Sequence, residues 1–503
     1  MIMQNAQYLS DDQVKRIHQA SLEILQETGL LVRNEKARKR FAEHGCGVNP
    51  ETGIVTFPPE LVEKCIELTP PTFTMHGRNP TYDFVVPREE PVVATASSAP
   101  DIVDPVSGET RRATSADIAR IAHLVNELDG IDIFSISVLA DDAPDGQFNL
   151  SRFYPALKNC VKPCRTAVLD VAEAEQVLKV GELIAGSREA YLERPFITFG
   201  YCAIVTPLTM DFDSTEMLMY FAENDIPAYG TVAPVGGAGT PLTLVGTLAL
   251  INAEWLATCV LTQISKAGRP MLYNFLPVFT DMRDGAYAPG AIEVGIMNSA
   301  VCQMARFYNI PSGGYLGLTN SKVSDAQAGF EKGMLPLLGI MSGVNFIVMG
   351  GLLDALMSFD FGQLIIDNEI ALMLKRASRG MEFSEENLAL EEIKQAGPGG
   401  MYIGNPETLE RMTKTCLLPD LADRSMRETW EAQGSSDIHT RALEAACTVL
   451  TKSNANVLSP EVDGKIKAAF PGIVAGDTTP PEGWSAPEIP RGRRQSRRSA
   501  KHK

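Results

Sequence analysis

Seven side chains in this sequence are placed where they could hold a small charged molecule. Tyr201, Tyr229, Tyr273, Phe275 and Tyr315 lie at or near the ends of short apolar or β-branched runs, Arg165 lies within another such run, and Arg283 sits in a loop just beyond one. Aromatic faces attract cations, so a cluster of rings encloses a quaternary ammonium with about 0.5–2 kcal/mol per ring. A guanidinium fork matches both oxygens of a carboxylate. The set therefore suits a molecule with a cationic nitrogen at one end and an anion at the other, with Arg165 or Arg283 as the carboxylate anchor. Plainer readings stand beside this one. A strand-end tyrosine can pack its ring and wet its hydroxyl, and Arg165 can pair with an acid on a neighbouring strand. Arg283 can pair within its own loop, LPVFTDMRDGAYAPG, a polar lid-like segment that also carries Asp281 and Asp284.

Other chemistries have weaker support. The six histidines (18, 44, 76, 123, 439 and 502) all lie away from the predicted strand ends. Cys160 and Cys164 have no second pair at metal-ligand spacing, so a structural zinc is not expected. The sequence has no phosphate-binding loop and no G-x-S-x-G elbow. The run Asp437-Ile438-His439-Thr440-Arg441-Ala442 reads as an exposed helix start, so this chain is not expected to hold a corrinoid of its own, and no metal is expected.

The elements that would position these residues follow a regular rhythm. Strand-like runs cover 91–98, 131–138, 163–169, 195–203, 227–233, 269–275, 310–317 and 345–351, separated by stretches with helical periodicity. Each gap accommodates one crossover helix. Eight β/α units in succession predict an α/β fold of the (β/α)₈ TIM-barrel type, in which residues at the C-terminal strand ends face the site. The competing open, doubly wound sheet normally carries a G-x-G-x-x-G turn after its first strand, and ATASSAPDIVD has none. The expected organisation is an N-terminal helical and β unit over 1–90, the barrel over 91–375, a helical C-terminal extension over 376–471 and a disordered basic tail over 472–503.

Charge and composition narrow the class. Among 503 residues, 45 Lys and Arg stand against 62 Asp and Glu, a net charge of −17. The last 13 residues carry seven basic groups and no acid, and removing those seven charges from −17 leaves −24 on the rest. So acidic a body argues against nucleic acid and anionic membranes as partners, and its field would draw in a cation. Nine scattered cysteines suit a reducing, cytoplasmic setting. The apolar stretch near 344–357 is broken by Asn345 and Asp354, so no membrane span is expected. The apolar faces of the C-terminal helices predict a homo-oligomer.

The run YLGLTNSKVSDAQAGFEKGMLPLLGIMSGVNFIVMGGLLDALMSFDFGQLIIDNEIALML resembles the trimethylamine methyltransferase family. So do YLSDDQVKRIHQASLEILQETGL and VDPVSGETRRATSADIARIAHLVNEL, and the resemblance covers about residues 7 to 455. It implies a TIM-barrel enzyme that moves a methyl group from a methylated amine to the Co(I) of a separate corrinoid (cobalamin) protein docked over the barrel mouth. Every position is an ordinary residue, so the chain is similar to the branch without pyrrolysine, which acts on quaternary amines such as glycine betaine, proline betaine and carnitine. A quaternary ammonium leaves as a neutral amine, so the protein must align the substrate rather than supply an acid or base. Ala355, a small residue after Asp354, would favour a bulkier betaine. The alternatives are a tertiary-amine methyltransferase and a betaine-binding barrel without catalysis.

Overall fold

The structure is a computed structural model and describes residues 6–455 and 457–485. All eight runs contain strands: β1 Val92–Ala94, β2 Phe134–Ser135, β3 Cys164–Ala167, β4 Ile197–Tyr201, β5 Ala228–Gly230, β6 Tyr273–Phe275, β7 Ser312–Gly317 and β8 Phe346–Met349. The pairs β2–β3, β3–β4, β4–β5, β6–β7 and β7–β8 are parallel, and β8 pairs in parallel with β1. Single bridges supply the other two links, Ala94 with Ile133 beside β2 and Val232 beyond β5 with Phe275. Each strand thus neighbours the next in sequence, and the last neighbours the first.

Helices α1 Ser115–Glu127, α2 Leu150–Asn159, α3 Val171–Ala185, α4 Asp213–Glu223, α5 Leu244–Ser265, α6 Ile292–Tyr308, α7 Ala326–Met341 and α8 Phe361–Ser378 follow β1 to β8 in turn, giving a mixed α/β fold. Aspartates start several of them. Asp170, Asp325 and Asp360 accept from the backbone N–H of Glu173, Ala328 and Gln363 at 2.8, 3.0 and 2.6 Å. Such caps satisfy donors left unpaired in a helix's first turn and contribute about 1 kcal/mol each.

Helix α5 is long and apolar enough to cross a membrane, more so than the 344–357 stretch singled out in the sequence, but most of it is buried inside the protein. It carries Glu254, fully buried, which accepts from Leu208 N at 2.7 Å and Thr206 Oγ1 at 2.8 Å. These bonds fix the segment after β4, where Thr209–Met210 pairs with Ile204–Val205 on one side and with Leu30–Val32 on the other. The N-terminal segment and the β4 loop therefore share one five-stranded sheet.

Burial raises the Glu254 carboxyl from 4.5 to about 7. Between those values the folded protein keeps a proton that the unfolded chain releases. Stability is then highest below about pH 4.5 as far as this group is concerned, and falls as pH rises through 7. The gap corresponds to about 3 kcal/mol. Glu254→Gln is expected to flatten the stability profile between pH 5 and 8 in urea titrations. A slope equal to that of the parent protein would show that Glu254 does not hold this proton.

Beyond α8 the chain forms helices Leu390–Ala396, Pro406–Thr415, Arg427–Ala432, Ile438–Leu450 and Pro460–Ala469. Ile438–Leu450 buries Ala442, Ala446 and Cys447. The expectation that disorder begins at 472 is corrected for residues 472–485, which lie against the body. Trp484 is buried with its ring 5.2 Å from Phe361, and Arg120 Nε donates to the Thr479 carbonyl at 2.7 Å. An aromatic anchor outweighs the proline content that suggested disorder. The basic run over 491–503 lies outside the described residues.

Candidate functional site

Strand alternation decides which of the predicted aromatics can face a site. Phe199 of β4 stacks on Phe221 of α4, with centroids 4.9 Å apart and planes at 6°. Tyr201, two residues on, takes the same face: its hydroxyl lies near Thr262 of α5, and its ring covers Gly230, where a Cβ would meet it at 2.8 Å. Tyr273 donates from its hydroxyl to Asn252 Oδ1 of α5 at 2.7 Å and packs against Trp255 at 4.8 Å, while Phe275 packs on Tyr273 at 4.6 Å. Tyr201, Tyr273 and Phe275 therefore fill the layer between strands and helices and belong to no aromatic cage. Their expected role is corrected by the two-residue period, which turns Tyr273 and Phe275 together toward α5.

The other candidates divide. Tyr229 is in register with Gly200 and so lies on the opposite face from Phe199, but its ring is taken by Phe73 of the N-terminal segment, 4.6 Å away. Tyr315 is partly exposed near the end of β7. Arg283 is exposed, and its fork binds Asp281 in the same loop at 2.6 and 3.0 Å. The structure thus gives Arg283 a local partner in place of the expected anchoring role.

Arg165 differs from all of these. It stands on β3 in register with Ser135 of β2 and Thr198 of β4, and it is 5 % exposed. Among the described residues its guanidinium has no ion-pair or hydrogen-bond partner, and Nε is buried and unpartnered. The neighbouring-strand acid of the alternative reading is absent. The guanidinium lies 5.5 Å from the ring of Phe346 on β8 and beside Gly200, where a Cβ would be 3.6 Å from Nη2. Two further buried polar atoms lack partners nearby in the strand set, Ser135 Oγ and Asn274 Oδ1, while Asn274 Nδ2 donates to Thr231 Oγ1 at 2.7 Å. Arginine stays charged at any working pH. A buried arginine without a counter-ion is costly to keep, and such positions are found more often at binding sites than elsewhere.

The loops above it are tied together. Asn320, after β7, donates from Nδ2 to the Tyr287 carbonyl at 2.8 Å and accepts from Gly290 N at 3.0 Å, which fastens the loop after β6. Glu331 of α7 accepts from Asn320 N at 2.9 Å and from the Thr319 hydroxyl. Tyr287, missed in the sequence because it sits in a polar loop, has its phenol pushed up to about 12 by burial first and then by Tyr315 and Cys202. The three groups are close enough to feel one another. The segment GAYAPG, an aromatic between small residues in a charged loop, was the available signal.

After β8, Asp354, Ala355 and Leu356 all have positive φ, 48°, 51° and 79°. Consecutive left-handed residues other than glycine cost about 1–2 kcal/mol each. The strained turn is held by Asp354 N and Ala355 N, which donate to the carbonyls of Ser321 and Thr319 at 2.7 and 2.8 Å. Below it, Lys332 of α7 and Asp367 of α8 form a fully buried pair at 2.9 Å. Lys332 also donates to the Gly317 carbonyl at 2.8 Å, and Asp367 accepts from Gly351 N at 2.7 Å, so the pair joins the ends of β7 and β8.

His439 lies 2.9 Å from Asp360, the cap of α8, and that hydrogen bond raises its pKa. Asp437 caps the helix Ile438–Leu450 through Thr440 N at 2.7 Å, so this run is a structural helix start. Among the described residues no group of three His, Cys, Asp or Glu could hold a metal ion. The arrangement offers a buried cation among hydroxyls and an amide, with phenols and a thiol beyond it. It is equipped to bind and orient.

Comparison with known proteins agrees with this picture at the level of family. A family model described as trimethylamine methyltransferase matches residues 2–471. The trimethylamine methyltransferase MttB of Desulfitobacterium hafniense (strain DSM 10664 / DCB-2) is 31% identical over 459 residues, covering 91% of this chain and 92% of its own. The glycine betaine methyltransferase of Desulfitobacterium hafniense (strain Y51) is also 31% identical, over 463 residues, covering 92% of this chain and 95% of its own. Among solved structures, a hydroxylamine complex of MtmB aligns with 87% of this chain and 92% of its own, at 13% identity and a TM-score of 0.47. The extent of the family match and of the two sequence alignments makes this chain a member of the trimethylamine methyltransferase family.

Proposed function

We propose that this protein transfers a methyl group from a betaine, a quaternary amine that carries a carboxylate, to the corrinoid of a separate protein. The fold reading that goes with it is a (β/α)₈ barrel whose substrate enters at the C-terminal strand ends, with the N-terminal segment and the C-terminal helices as additions around it. Family membership supports methyl transfer from a methylated amine. The observation that carries the choice of a betaine is Arg165, a buried arginine with no anion beside it among the described residues.

A carboxylate bound across that fork would satisfy the guanidinium, and Asn274 and Ser135 add polar atoms without partners. The cationic end would then point toward Tyr315 and Tyr287, where ring faces and phenol oxygens favour a positive charge. Burial keeps both ends away from bulk water, which strengthens each electrostatic contact. The reduced corrinoid supplies the nucleophile that takes the methyl group. This chain's residues fix the carbon–nitrogen axis and exclude water, and no proton need move, because the amine leaves neutral.

A second reading, methyl transfer from trimethylamine, is favoured by the relative of that name at the same 31% identity. It leaves Arg165 without an anion. The discriminating assay follows methylcobalamin formation from Co(I) cobalamin with glycine betaine, proline betaine, carnitine and trimethylamine in parallel. Turnover of at least one betaine is expected, and failure of all three would end the proposal.

A further inference from the structure

Cys202, a neighbour of Tyr287, has no role of its own in the betaine site proposed above. Seven of the nine cysteines are buried, which leaves Cys202 and Cys416 as the thiols that solvent can reach. Cys202 is the first residue after β4, and continuing the strand's alternation by one residue sets it on the face opposite the one that Tyr201 turns to α5. Gly200 lies two residues earlier on that face, and Arg165 Nη2 is beside it. Two residues of strand span about 7 Å. The thiol therefore stands one step beyond the guanidinium, toward the open strand ends, and the unpaired Arg165 is directed into the same space.

The electrostatic neighbours agree with this placement. Arg165 acts on the Cys202 thiol, and Cys202 in turn acts on Tyr287. Surrounding protein atoms raise the thiol's pKa although the residue is exposed, the combination expected of a side chain on the wall of a well. The order along the wall is a buried cation, then a small thiol, then two phenols.

We propose that Cys202 lies against the N-methyl groups of a betaine whose carboxylate is bound by Arg165, and that its size sets how large an ammonium headgroup the site accepts. The inference rests on the betaine reading given above. A thiol suits the position in two ways. Its polarizable sulfur makes good contact with methyl groups while occupying little space. It must also stay protonated, because a thiolate there would attack an N-methyl carbon, form a thioether, release the tertiary amine and block the site. Desolvation by the surrounding protein atoms opposes that ionisation and outweighs Arg165, which favours it, so the thiol can touch the methyl groups without taking one.

The test uses the full chain carrying Cys416→Ser, so that one reachable thiol remains. Methyl methanethiosulfonate is added with and without saturating glycine betaine, proline betaine or carnitine, and the Cys202 peptide is quantified by mass spectrometry. The betaine that is turned over is expected to slow labelling at least tenfold. Steady-state kinetics supply a second readout: Cys202→Phe should raise KM more than tenfold, and Cys202→Ala should shift preference at least threefold toward the bulkier betaines. Unchanged labelling in the presence of a betaine that the enzyme demethylates would overturn the role of Cys202 and leave the proposed function standing. If no betaine is demethylated and none slows labelling, the proposed function and this inference fall together.

Discussion

Arg165→Leu is expected to lower kcat/KM for a betaine by two to three orders of magnitude while making the folded protein more stable. The two effects share one cause. Arg165 is 5 % exposed, its Nε is buried without a partner, and no anion pairs with it among the described residues, so the ligand-free enzyme bears the desolvation of a charge that the substrate would neutralise. Truncating one partner of a buried, hydrogen-bonded charge pair costs about 2–5 kcal/mol, a factor of roughly 30 to several thousand. Replacing an unpaired buried charge by a shorter apolar side chain is expected to add about 1–2 kcal/mol to stability, after the cost of the space left unfilled. Urea unfolding and methylcobalamin formation, measured on the same preparation, test both halves. A variant that loses stability together with activity would mean that Arg165 is a structural residue.

The second large effect concerns Lys332 and Asp367. Neither side chain is exposed, and between them they hold the Gly317 carbonyl and the Gly351 N–H at the ends of β7 and β8. Lys332→Met leaves Asp367 as a buried charge without its counterion, and the expected loss is about 3–5 kcal/mol. Removing both charges with Lys332→Met and Asp367→Leu should restore part of that loss, because an apolar pair no longer isolates an ion. Denaturant midpoints of the parent, the two single variants and the double variant complete the cycle. Strictly additive losses would show that the two residues do not act as a pair. Activity should fall further than stability alone explains, since the strained turn 354–356 depends on the same strand ends.

Much of the fold was legible because it is written in repetition. Each of the eight strand-like runs contains a strand, and helices follow them in order, because short β-branched runs and capped amphipathic stretches are local signals. The parallel pairing of β8 with β1 is a long-range event, foreseen only through the count of units. The sheet shared by Leu30–Val32 and Thr209–Met210 left no trace in the sequence, since segments of three and two residues carry no pattern of their own. The packing of 472–485 was hidden in the same way. A single buried Trp484 decides it, against a composition that favours disorder.

The site was legible only in part, and alternation explains which part. Arg165 stood out because charge inside a strand is costly, and in the structure it is both buried and unpaired. Tyr201, Tyr273 and Phe275 were misplaced because position near a strand end does not reveal which face a residue takes. Tyr287 was overlooked because loops give no periodicity to read, and what places it is the Asn320 side chain from the next unit. Cys202 was placed at the same strand end as Tyr201, but the aromatic was preferred as the binding residue.

Pairing of Arg165 with a substrate carboxylate, alongside a quaternary nitrogen, is what the proposed function requires. Its most direct measurement is the ratio of kcat/KM for the best betaine to that for trimethylamine, with Co(I) cobalamin as the methyl acceptor. The expected ratio is above one hundred and collapses toward one in Arg165→Leu. Faster turnover of trimethylamine than of any betaine, unaffected by loss of Arg165, would contradict it.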